Sequence, residues 1–130
     1  MSAWDELDIQ SKVEVILESF SREQHEHHLG IPFLSAYQLA ILYAQEHPDD
    51  LQLLDLPVGG KDTGEWISLT KYLARELSTR IRNEEITSIE GKLLSNRQVE
   101  QLVFDNDGVL LRSSITGRNA SISMFRLVRS

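Results

Sequence analysis

A chain of 130 residues with 41% apolar and 25% charged residues has the size and composition of one soluble globular domain, expected to span 1–130. It contains no cysteine, which excludes disulfides and thiolate-based metal or redox chemistry. The net charge of −7 is unevenly divided: residues 1–60 carry −9 and residues 61–130 carry +2, a pattern that lets an anionic partner be met with one face only.

The N-terminus, MSAWDELD, is acidic and lacks the basic start and apolar run of a signal peptide. No apolar stretch approaches the ~20 residues that span a bilayer. The expectation is a cytoplasmic protein with no membrane partner. The first ~20 residues read as one helix, because Ile9, Val13, Ile16, Leu17 and Phe20 form a single apolar stripe opposite an acidic face. Ser2 and Asp5 have capping-box spacing at its start. Ser21 to Gly30 is a polar break. A second helix opens at Ser35, with Gln38 completing a capping box and Leu34 and Leu39 placed as a hydrophobic staple. Pro48 stops it.

Residues 49–64 read as a connection with one short turn around Leu51 to Leu54, followed by a Gly-rich loop. Asp62 and Glu65 offer a cap and its partner for a third helix over roughly 64–83. Beyond Asn83 the pattern turns strand-like at Ile86 to Ile89, Gln98 to Phe104, Val109 to Ser114 and Ala120 to Val128. Asp105 to Gly108 carries a hairpin-turn signal, and Thr116 to Asn119 is a second turn. On the last strand Ile122, Met124 and Val128 are expected to share one side. Helices first and antiparallel strands last define an α+β fold, with three N-terminal helices and a β-hairpin or sheet unit.

The third helix is the candidate working face. With Lys71 at zero on a 100° wheel, Trp66, Ile67, Leu73, Ala74, Leu77 and Ile81 cover an arc of roughly 200° to 320°, the core side. Ser68, Lys71, Arg75, Ser78, Thr79 and Arg82 lie on the other side, with no carboxylate among them. Lys and Arg neutralise phosphates, Arg can also grip a guanine edge, and Ser or Thr can bond either phosphate or base. Those residues form a candidate nucleic-acid-binding surface, and DNA is the partner it would fit. A solvated face, or one covered by the acidic first helix, accounts for the same stripe.

The element order is that of a winged-helix domain, by analogy of order and not by motif. The connection of about 17 residues before the third helix departs from the 3–4-residue turn of a helix-turn-helix. Arg112 and Arg118 are secondary contact candidates, because the second turn is basic where the first is acidic. The rival expectation is an acidic protein-interaction module or a homodimer that does not touch nucleic acid.

Other signals carry less chemistry. His25, Glu26, His27 and His28 could offer metal ligands, but their spacing matches no defined zinc motif. Val58 to Gly64 resembles a phosphate loop only faintly, since Asp62 stands where Ser or Thr is needed. Asp49, Asp50 and Asp55 read as a solvated acidic loop. Trp4 and Tyr72 are possible anchors for a partner, and Trp66 lies on the core arc. No nucleophile, base and orienter can be placed together, so a non-enzymatic protein with no cofactor and no metal is expected.

Overall fold

The computed structural model describes residues 2–24, 28–55, 69–95, 97–99, 102–112 and 122–128. Among them are five helices: α1 (Ala3–Glu6), α2 (Ile9–Gln24), α3 (Ala36–Glu46), α4 (Pro48–Leu54) and α5 (Leu69–Arg82). The strands are β1 (Leu34–Ser35), β2 (Ile89–Leu94), β3 (Val103–Asn106), β4 (Val109–Arg112) and β5 (Ile122–Leu127). The mixture of helices and antiparallel sheet is α+β, as the order of signals in the sequence requires.

Two differences in the helical half have local causes. The expected single first helix is two, because Asp8 adopts the left-handed conformation (φ 52°) and breaks the run after Leu7. Ser2 still caps it: its Oγ accepts from the Asp5 backbone N–H at 3.4 Å. The stripe of α2 is buried at Ile9, Val13, Ile16 and Leu17. The short turn around Leu51 is a full α-helical segment. Pro48 ends α3 and then opens α4, where its missing N–H costs nothing and its fixed φ suits the first turn. The expected third helix corresponds to α5; its start at 64–68 lies outside the described residues.

The strand half departs further. A three-stranded sheet has the order β1-β5-β2, and β3-β4 forms a separate two-stranded sheet. β1, only two residues long, was not legible. It sits between α2 and α3, so the strands do not all follow the helices. Residues 86–88 precede the strand instead of forming it, and β2 runs on to Leu94. The β3-β4 hairpin closes as the Asp-Gly signal predicts. Asp107 (φ 54°) and Gly108 (φ 90°) are both left-handed, the requirement of a two-residue hairpin turn, and the Gly108 N–H donates to Asp105 Oδ1 at 2.7 Å.

β5 buries residues from both of its sides, Ile122 from the expected side and Phe125 from the other. Phe125 is the residue of β5 that enters the core cluster, while Met124 is only half-buried and Val128 is exposed. Leu34 and Gly91 stand opposite Phe125 from either side. The core gathers Val13 and Leu17 of α2, Leu39 and Tyr43 of α3, and Leu69, Leu73 and Leu77 of α5 against Phe125. α3 packs on both α2 and α5, and α5 also meets β2.

Ser35 ends β1 and caps α3. The Gln38 N–H donates to its Oγ at 3.2 Å, and its own N–H donates to Gln38 Oε1 at 2.8 Å, so the capping box is complete. Replacing it, Ser35→Ala, is expected to destabilise the fold by about 1 kcal/mol. Urea unfolding checks this: an unchanged midpoint would mean that the cap contributes nothing.

Candidate nucleic-acid interface

The rotation of α5 is fixed by what it buries. Leu69, Thr70, Leu73 and Leu77 are buried, and Ala74 and Ile81 pack half-buried against the same core. Ile67 and Trp66 lie outside the described residues. With that side held, Lys71, Arg75, Ser78, Thr79 and Arg82 are all exposed on the opposite side. The acidic first helix does not bury them. α2 packs on α1, α3 and β5, whereas α5 packs on α3 and β2 and meets α1 only on the side of Tyr72 and Arg80 among the described residues. Arg75, with its side chain 66% exposed, approaches its chain neighbour Glu76 at 3.7 Å.

Arg80 is the cation of α5 withheld from solvent. It lies 4.7 Å from the Trp4 ring centre, donates to Glu76 Oε1 at 3.0 Å, and comes within 3.8 Å of Glu85. Its Nε is buried with no hydrogen-bond partner among the described residues. Trp4 and Tyr72, the possible anchors, are held in the same packing, with ring centres 6.5 Å apart. Burial, and then the nearby Glu76, push the Tyr72 hydroxyl above its ordinary pKa. Trp4 is therefore a core residue and not a free contact for a partner.

The remaining predicted contacts are not gathered with these. Ser68 and Arg118 lie outside the described residues. Arg112 ends β4, opposite Val103 of β3. That hairpin leans on α3, where the Tyr37 and Phe104 rings stack with centres 5.1 Å apart. Sequence reasoning missed two residues that do lie beside α5. Lys92 of β2 and Ser123 of β5 border one groove with Ser78 and Arg82. Nothing local marks them, because only the β2-β5 pairing brings them to the helix.

The acidic residues prove structural where they are buried. Asp50, expected in a solvated loop, lies in α4 with only 7% of its surface exposed. Its Oδ2 accepts from Lys12 Nζ at 2.7 Å and from the Tyr43 hydroxyl at 2.6 Å. The three groups tie α2, α3 and α4 together. Burial alone would raise the Asp50 pKa, but the Lys12 and Tyr43 hydrogen bonds outweigh it and hold the carboxyl below its ordinary value. Burial, reinforced by that carboxylate, drives the Tyr43 hydroxyl far above the ordinary tyrosine range, so it stays a donor. Asp49 and Asp55 are exposed, as expected.

On the metal reading, His25, Glu26 and His27 lie outside the described residues and His28 is exposed. Among the described residues no group of three His, Asp or Glu side chains is placed to hold a metal ion. The Gly-rich segment 58–64 also lies outside them. No helix among the described residues is long and apolar enough to cross a membrane. No protein-family model matches this chain, and neither a curated protein sequence nor a solved structure matches it.

Because Asp50 is more acidic folded than unfolded, its contribution to stability is present above the ordinary carboxyl value of 3.8 and disappears as pH falls through the lowered folded value. Asp50→Asn is expected to cost about 2 kcal/mol at neutral pH, the scale of a hydrogen-bonded charge. It should also flatten the loss of stability below pH 3.8. Urea titrations at pH 7 and in acid check both; equal acid slopes in the two proteins would remove Asp50 from the account.

Proposed function

We propose that this is a small non-enzymatic cytoplasmic regulator with a winged-helix-like arrangement that binds nucleic acid through the outer face of α5. The observation that carries the reading is the exposed row Lys71, Arg75, Ser78, Thr79 and Arg82, two cations per turn-pair with hydroxyls between them and no acid. Such a row neutralises phosphates and offers donors to base edges. The sheet order supports the arrangement: β1, just ahead of α3, pairs with the last strand, and that strand pairs with β2 after α5. The helices and sheet thus form one body that holds α5 at its surface. Glu76, the acid of α5 beside this row, pairs at 3.0 Å with Arg80 and approaches Arg75 at 3.7 Å, while Asp50 pairs with Lys12 and Glu90 with Arg126.

A second reading has one observation in its favour. β2 is the edge of its sheet, and Leu93 and Leu94 on it are exposed. An exposed apolar edge strand is a ready pairing surface, so self-association or a protein partner is the rival function.

A labelled random duplex is expected to bind at ~50 mM salt and to weaken steeply by ~200 mM, as counterion release requires. Lys71→Glu and Arg75→Glu should each reduce affinity roughly tenfold or more while melting as the parent does. Fluorescence anisotropy reads this directly. Absence of binding at the lower salt, together with a dimer in sedimentation, would overturn the reading in favour of the rival.

A further inference from the structure

The C-terminal half of α5 stands off the sheet. Between it and β2 and β5 lies a groove of about 320 Å³, within the size range of small-molecule sites. Ile81, Leu93 and Phe125 form apolar walls, and Ser78, Arg82 and Ser123 supply the polar groups. Lys92 borders it from the edge strand, and among the described residues no carboxylate lines it. Gly91 leaves room for the Phe125 ring at the groove's floor. It stands opposite Phe125, and a Cβ on it would meet the Phe125 ring carbons at 3.2 and 3.3 Å.

The chemistry of this groove is asymmetric. One side offers a guanidinium, which matches a phosphate with two parallel donors, and hydroxyls from both walls. The other side is hydrocarbon. A ligand that satisfies both halves carries an anionic head on a largely apolar or planar body. We propose that the groove binds one nucleotide unit, with its phosphate at Arg82 between Ser78 and Ser123 and its sugar and base against Ile81 and Leu93. The choice of a nucleotide over other organic anions rests on the nucleic-acid reading of α5. The unit can belong to a bound strand or be a free nucleoside monophosphate, because both present the same phosphate ester.

The groove also changes what α5 would do with a polyanion. A helix face alone contacts phosphates from one side. Here the sheet adds a second wall, so a strand that passes Lys71 and Arg75 would end in a slot and not on an open surface. This gives the bound chain a defined position along the helix.

The test titrates the full chain with adenosine 5′-monophosphate by amide-resolved NMR, and separately with labelled duplex and single-stranded DNA by anisotropy. Saturable shifts are expected at Ser78, Arg82, Gly91 and Ser123. Leu93 is 69% exposed, so Leu93→Glu places an acid in the groove without disturbing the core, which an unchanged melting temperature verifies. Leu93→Glu and Arg82→Gln should each weaken nucleotide binding roughly tenfold, the scale of one charge-assisted contact. If the monophosphate does not bind but Leu93→Glu weakens strand binding tenfold, the occupant is part of a strand. If the monophosphate binds and Leu93→Glu abolishes it while no DNA binds, the groove stands as a free-nucleotide site and the reading of α5 falls. If Leu93→Glu is silent in every assay while Lys71→Glu still abolishes duplex binding, the groove proposal is overturned and the reading of α5 survives. No binding of any probe removes both.

Discussion

The row Leu34, Phe125, Gly91 across the sheet is the constraint on which the rest depends. Phe125 is 1% exposed and touches the same cluster as the buried residues of α2, α3 and α5. Its ring fits because the residue beside it on β2 has no side chain. β5 therefore joins two distant parts of the chain: β1 ahead of α3 and β2 after α5. Each helix packs against that assembled sheet and core, and the burial of Leu69, Leu73 and Leu77 then turns the cationic side of α5 outward.

Polar groups pin the same frame at its corners. Lys12, Tyr43 and Asp50 lock α2, α3 and α4 around one carboxylate oxygen. Arg126 on β5 donates to Glu90 and to the Ile31 carbonyl, both at 2.8 Å, and lies over the Phe33 ring. It thereby holds the segment entering β1 against the sheet. Ser88, just ahead of β2, donates to Glu14 of α2. Three of the acids in the strongly negative first half and in β2 are thus committed to internal partners.

α5 and its groove separate two kinds of contribution. The helix supplies charge on an exposed face, where a cation is screened and its partner is exchangeable. The sheet supplies position, because β2 and β5 are held in register by a full antiparallel ladder. Arg80 illustrates the difference within one helix. Chemically it equals Arg75 and Arg82, yet it is spent on Trp4, Glu76 and Glu85. The wheel position of Arg80 lies next to the core arc, which is why it is drawn inward.

The sequence by itself determined the local elements. The Ser35 and Gln38 capping box, the Asp107-Gly108 turn, the Pro48 boundary and the core side of α5 follow from interactions among residues a few positions apart. Such interactions are written in spacing. Tertiary structure alone decided that Asp50 is buried against Lys12, that Leu34–Ser35 is a strand, and that Phe125 rather than Met124 faces the core. It also brought Lys92 and Ser123 to Ser78 and Arg82. Each of these depends on a partner far away in the chain, and no local periodicity encodes which distant strand supplies the opposite half of a ladder.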